Sequence, residues 1–256
     1  MSDDRDTRPG GGHADFGFKR VPVREKRARV RGVFDSVAGR YDLMNDMMSL
    51  GLHRIWKRFT VHLSGVGPGQ QVLDLAGGTG DLARALVKRV GNEGSVTLAD
   101  INAAMLAQGR RKLLDAGVLH GLRYAQVNAE ALPFADRSFD CVTMAFGLRN
   151  VTDKKRALRE IHRVLRPAGQ LLVLEFSRLR VRALEPLYDL YSFRMLPWLG
   201  ARVAGDGDSY RYLAESIRMH PAQDELAEMM MEAGFDDCRW FNLSAGVVAL
   251  HKAVKL

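Results

Sequence analysis

The apolar positions change period part-way along the chain, and that change predicts the architecture. From Val33 to Leu63 they recur at three- and four-residue steps: Val33, Phe34, Val37, Tyr41, Met44, Met47 and Met48, then Leu52, Ile55, Trp56 and Phe59. This is a helical stripe that Gly51 divides in two. Beyond Gly69, short apolar runs at 71–75, 95–99, 122–127, 139–145 and 170–175 alternate with helical patterns. Such alternation is the mark of βαβ units and a parallel sheet. The helix expected over 103–116 has Asn102 as its cap and Gly117 as its stop; the one over 154–166 is capped by Asp153 and ended by Pro167-Ala168-Gly169. After Phe176 a helical, aromatic-rich insertion extends to about Met219, and a helix over 223–233 stops at Gly234. Runs at 237–243 and 247–252, joined by Ser244-Ala245-Gly246, are expected to pair antiparallel at the sheet edge.

The pattern predicts an α/β, Rossmann-like fold. Its sheet has seven strands, mostly parallel with the last antiparallel, helices on both faces and an N-terminal helical segment over 19–65. Residues 1–18 are polar and Gly-rich and read as a mobile tail. A single domain over 19–256, with its insertion at 177–219, follows.

Composition narrows the class. A chain of 256 residues, 46% hydrophobic and 27% charged, suits one sizeable core. No uncharged apolar run is long enough to span a bilayer, and the first twenty residues lack the apolar stretch of a secretory signal, so a cytoplasmic protein is expected. The two cysteines, Cys141 and Cys238, offer neither a disulfide framework nor metal-ligand spacing. The net charge is +8, and residues 19–31 carry seven basic side chains against the single acid Glu25. That run suits an anionic surface, or is only a solvated helix start. An RNA-binding module would rest on charge alone, and nucleic acid is not an expected partner.

The strand Val72–Leu75 runs into Ala76-Gly77-Gly78-Thr79-Gly80-Asp81 and then a helix, a nucleotide-type turn. Gly78, Gly80 and Ala83 satisfy the dinucleotide spacing, and Asp100 lies twenty residues past Gly80, so an NAD-dependent oxidoreductase is the rival reading. Charge separates the two. Asp74 and Asp81 flank the turn and would repel a pyrophosphate, whereas S-adenosylmethionine brings an ammonium and a sulfonium. S-adenosylmethionine is therefore the expected cofactor. Gly78 and Gly80 shape its turn, Thr79 and loop amides receive its carboxylate, Asp100 accepts its ribose hydroxyls, Ile101 covers one face of the adenine, and Asn128 and Ala129 meet the adenine edge. The fourth strand ends in Ala145-Phe146-Gly147-Leu148-Arg149-Asn150, without the Asn/Asp-Pro-Pro-Tyr/Phe run of many amine methylators, which argues against nucleobase amino groups as targets.

The segments AGGTGDLA (76–83), ADIN (99–102), NAEALPF (128–134), FGLRNVTDK (146–154), LLVLEFS (171–177), DSYRYLAESIRMHP (208–221) and AGVVALHK (245–252) together resemble the ubiquinone/menaquinone biosynthesis C-methyltransferase family. The resemblance runs from about residue 16 to the C-terminus. It implies methylation of a ring carbon on a polyprenylated benzoquinol or a demethylmenaquinol, and cofactor contacts at Thr79, Asp100, Asn128 and Ala129. Two positions depart from the family: Ala145 stands where a serine is common, and Pro167-Ala168-Gly169 replaces Pro-Gly-Gly.

A ring carbon becomes nucleophilic when a neighbouring hydroxyl loses its proton, so Arg149 is the candidate for stabilising the quinolate oxygen, with Asn150 orienting it or a water. His220, Tyr210 and Tyr212 are candidate bases for the proton shed after attack, and Tyr41, Asp42 and Asn45 are expected across the mouth of the site. A polyprenyl substrate implies peripheral contact with the membrane, through the basic run and apolar helices or through a quinone-biosynthesis complex. The sequence allows a homodimer without requiring one.

Overall fold

The computed structural model describes residues 12–256 apart from Arg182, Leu184 and Gly205. A hairpin opens it, with β1 (His13–Phe16) antiparallel to β2 (Lys19–Pro22). Order begins earlier than the polar composition suggests because distant partners hold the hairpin: Phe16 stacks on Tyr212 with centroids 4.2 Å apart, and the Phe18 N–H donates to Glu215. The first eleven residues of the expected tail lie outside the described residues.

The N-terminal extension is three helices, α1 (Val23–Val37), α2 (Tyr41–Ser49) and α3 (His53–Leu63). The break expected at Gly51 falls there, with Leu50 and Gly51 both at positive φ. Next come β3 (Gln71–Leu75), α4 (Asp81–Val90), β4 (Ser95–Asp100), α5 (Ala103–Asp115), β5 (Leu122–Gln126), β6 (Phe139–Ala145), α6 (Lys154–Val164) and β7 (Leu165–Phe176). The insertion carries α7 (Glu185–Leu190), α8 (Leu196–Leu199) and α9 (Gly207–Arg218), and α10 (Gln223–Glu232), β8 (Arg239–Leu243) and β9 (Val248–Val254) complete the chain. Asn102 and Asp153 cap α5 and α6 as their spacing requires, each accepting from the N–H three residues on.

The seven-stranded sheet has the order β5-β4-β3-β6-β7-β9-β8, parallel except for β9. Residues alternate across it. Val72, Cys141, Leu172 and Leu174 face one core with Trp56, Leu86, Tyr210 and Leu213; Leu73, Val142, Leu171 and Val173 face the other with Leu158, Ile161, Leu226 and Met230. α6 stops two residues before the sequence suggests because Leu165 already pairs with Phe139. The chain leaves β3 toward β4 on one side and meets β6 on the other, so the loops after β3 and β6 part and open a crevice at the carboxyl ends of the strands.

Candidate active site

A cavity of about 400 Å³ fills that crevice. Its floor is Ala76 and Gly78 after β3, Asp100 and Ile101 after β4, Asn128 to Glu130 after β5, and Phe146, Gly147 and Asn150 after β6; α1 crosses above with Arg27, Arg31 and Phe34. Ala76 and Phe146 both hold positive φ, a strained conformation concentrated where the strand ends meet. The two turns touch: a Cβ on Gly147 would lie 2.4 Å from the Ala76 methyl. From the other side, a Cβ on Gly109 of α5 would lie 2.8 Å from the Gly78 carbonyl, so this helical glycine lets α5 press against the turn.

The turn spends its own amides. Gly77 N–H donates to the Ala99 carbonyl, Gly80 N–H to the Gly77 carbonyl, and Gly78 N–H to the Asp100 carboxylate at 3.0 Å. A pyrophosphate needs those donors and would meet Asp100 in their place. Asp100 also accepts from Asn102 N–H at 2.9 Å; burial pushes its carboxyl up, and these backbone donors oppose the rise. Its oxygens keep acceptor capacity toward the cavity, as vicinal hydroxyls of a ribose require.

Several residues assigned to the cofactor from sequence take supporting positions. Asp74 does not line the cavity: it is fully buried beneath the turn, accepts from Ala83 N–H and Thr143 Oγ1, and burial pushes its carboxyl up to about 7. Thr79 is buried too, and its hydroxyl donates to Asp42 at 3.3 Å where a cofactor carboxylate was expected. Gly80 is backed by Leu113, which a Cβ would strike. Asp81 is half-buried, which works against its charge, but the Lys57 and Lys112 ammonium groups at 2.7 and 2.9 Å hold its carboxyl well below the usual range. Gly78, Asp100, Ile101, Asn128 and Ala129 line the cavity as expected.

At the acceptor end Asn150 and Tyr41 line the cavity, with the Tyr41 ring over Gly78. Burial pushes the Tyr41 phenol up to about 12 against the nearby charge of Arg149, and the buried Asn45 side chain stands beside it. Arg149 lies one layer behind. Its guanidinium bonds the Glu175 carboxylate at 3.0 Å and the Phe146 carbonyl at 2.6 Å, and packs 5.6 Å from the Phe176 ring. Tyr212 does not line the cavity but donates to Asn150 Oδ1 at 3.1 Å. Tyr210 points elsewhere, at Met47. His220 is enclosed away from the cavity, and burial, with the charges of Lys154 and Arg149, holds it well below the usual histidine range.

Sequence reasoning missed Glu175, the pairing of the Glu130 side chain with Arg27, and the place of Arg27 and Arg31 of α1 above the cavity. Glu175 could have been noticed as the one charge inside the apolar run LLVLEFS. Glu130 accepts from Thr152 and Asp153 N–H and pairs with Arg27 at 2.5 Å, joining the third strand end, the loop after Asn150 and the roof.

The sequence profile of the ubiE/COQ5 methyltransferase family matches residues 22–255. The chain belongs to that family. It is therefore a methyltransferase. The curated relatives include the ubiquinone/menaquinone biosynthesis C-methyltransferase UbiE of Hahella chejuensis, 60% identical over 240 residues covering 94% of this chain and 96% of that one. The protein of the same description from Pectobacterium atrosepticum is 59% identical over 242 residues, with the same coverage. Among solved structures, a SAM-dependent methyltransferase from Aquifex aeolicus superposes with a TM-score of 0.58 at 18% identity, covering 78% of this chain and 89% of that one. The [4+2]-cyclase SpnF gives 0.59 at 18% identity, covering 79% and 81%. The fold thus carries more than one chemistry, and the family match rests on sequence.

Proposed function

We propose that the protein transfers the methyl group of S-adenosylmethionine to a ring carbon of a polyprenylated benzoquinol, a demethylmenaquinol, or both. The observation that carries the cofactor assignment is the turn whose Gly77, Gly78 and Gly80 amides are already engaged and whose open side faces Asp100. This favours a cationic nucleoside without phosphate over a dinucleotide. When bound, S-adenosylmethionine supplies an electrophilic methyl on sulfur. Asp100 holds the ribose, Asn128 and Ala129 the adenine edge, Ile101 its face, and Tyr41 closes the cavity over Gly78.

The acceptor enters beside Asn150, Phe146 and Gly147. Because Asn150 Oδ1 takes the Tyr212 hydroxyl, its NH2 group is aimed outward as a donor to a quinol oxygen. Arg149 acts from behind Phe146: paired with Glu175 and bonded to the Phe146 carbonyl, it fixes the turn that carries Phe146 and Asn150 without touching the ring. Tyr41 stays protonated at neutral pH and serves as a donor, so the ring proton leaves to water admitted with the acceptor. A membrane-borne acceptor places the protein on the inner face of the membrane; no helix among the described residues is long and apolar enough to cross one.

The test is Asp100→Asn, measured by calorimetric titration with adenosylhomocysteine and NADH. Wild type binds adenosylhomocysteine and not NADH, and the variant loses roughly 10- to 100-fold in affinity. Tight NADH binding, or an unaffected variant, overturns the cofactor assignment. Unmethylated quinones accumulating in cells without the protein complete the acceptor assignment.

A further inference from the structure

We propose that the outer face of α2 and the α7–α8 segment is the surface on which this protein lies against an anionic bilayer. The inference rests on the membrane-borne acceptor argued above. Leu43 and Met47 lie four residues apart on one side of α2, and Leu50 follows at its left-handed end; Tyr191, Met195 and Trp198 are spaced four and three residues apart in the insertion. The two stripes meet where the Tyr191 hydroxyl donates to the Met47 carbonyl. Leu43, Leu50, Met195 and Trp198 are exposed, Leu50 by 74% and Trp198 by 56%, and Ile55 at the head of α3 adds to the patch.

Charge favours an anionic bilayer as the occupant. Arg194 and Arg202 stand exposed on the same segment, and the Arg202 guanidinium lies 5.3 Å from the Trp198 ring. Of the acids nearby, Asp46 pairs with Arg54 and Asp189 with Arg218. An aromatic ring and aliphatic side chains fringed by arginine match the boundary between headgroups and acyl chains. Position agrees: on the inner side of these helices Met48, Phe176, Tyr188 and Leu196 line a narrow apolar crevice, and Phe176 packs against Arg149. The basic run at 19–31 is partly engaged within the protein, because Lys26 is buried against the Val151 carbonyl, Arg27 pairs with Glu130 and Arg29 with Glu25.

The experiment is flotation of the full chain with phosphatidylcholine vesicles, with and without phosphatidylglycerol. Wild type rises with the anionic vesicles; Trp198→Glu and Met195→Glu lose about ten-fold or more of that binding, while both keep their adenosylhomocysteine affinity. Trp240→Glu, on the exposed strand β8, floats like wild type. No flotation of wild type, equal flotation of Trp198→Glu, or a dimer that the same substitution dissolves in light scattering would each overturn the proposal. A soluble, prenyl-free demethylated naphthoquinol separates this from the acceptor assignment: the variants methylate it like wild type. Flotation without methylation by wild type of either this naphthoquinol or a prenyl-free benzoquinol supports the surface and refutes the acceptor.

Discussion

Ala168 holds a φ of +61° inside β7, with its N–H on the Lys255 carbonyl and the Lys255 N–H on Gly169. An L-residue pays for that conformation with a Cβ clash that glycine avoids. Ala168→Gly is therefore expected to stabilise the protein by about 0.5–1 kcal/mol net of the extra freedom of the unfolded chain, seen as a higher urea midpoint at unchanged slope. The sequence shows this position only as an exchange within a turn; its cost appears once the sign of φ is known. The same limit applies to Thr79. A hydroxyl in a glycine-rich turn reads as a ligand contact, and only the packing of α2 reveals that Asp42 has taken it.

The elements with local signals were legible, and those held by distant ones were not. Asn102 and Asp153 announce the starts of α5 and α6 because a cap is a matter of three residues. The β1–β2 hairpin carries almost no signal, since the side chains that fix it, Tyr212 and Glu215, lie some two hundred residues away. α1 was hidden differently: arginines at 27 and 31 look like a solvated run until the helix is seen lying over the cavity. Its tie to the floor is the Arg27–Glu130 pair, half exposed on the arginine side. Arg27→Ala should release adenosylhomocysteine about two- to five-fold faster in stopped-flow measurements, with the effect reduced in high salt and largely absent in Arg27→Lys.

At the scale of the whole molecule, buried titratable groups set the pH range of the fold. His220 and His251 are held below the ordinary histidine value of 6.5, first by burial, so below that pH the unfolded chain binds protons that the folded one refuses. Stability is then complete above about pH 6.5 and falls on acidification, by about 1.4 kcal/mol per pH unit for each such group. Asp74 works in the opposite sense. Its carboxyl is raised from 3.8 to about 7, so the folded state binds the extra proton and gains as pH falls through that window. His53 and His162 are held down by burial in the same way, and Asp100 is pushed up as Asp74 is, so four histidines against two aspartates leave a net loss between pH 6.5 and 5, and Asp74→Asn should make it steeper. Urea midpoints across that range, compared for both proteins, check the sign.

The seven strands follow from periodicity, because a parallel sheet buried on both faces leaves little choice of pattern, whereas their order becomes visible only in the pairing. What joins the two ends of the chain has a different consequence. Phe16 rests on Tyr212, so the roof above the cavity cannot settle until the ribosome has released nearly the whole polypeptide. A half-made chain, with β3 to β6 already paired, holds that cavity without its cover. Closure of the cavity is thus one of the last properties acquired during synthesis.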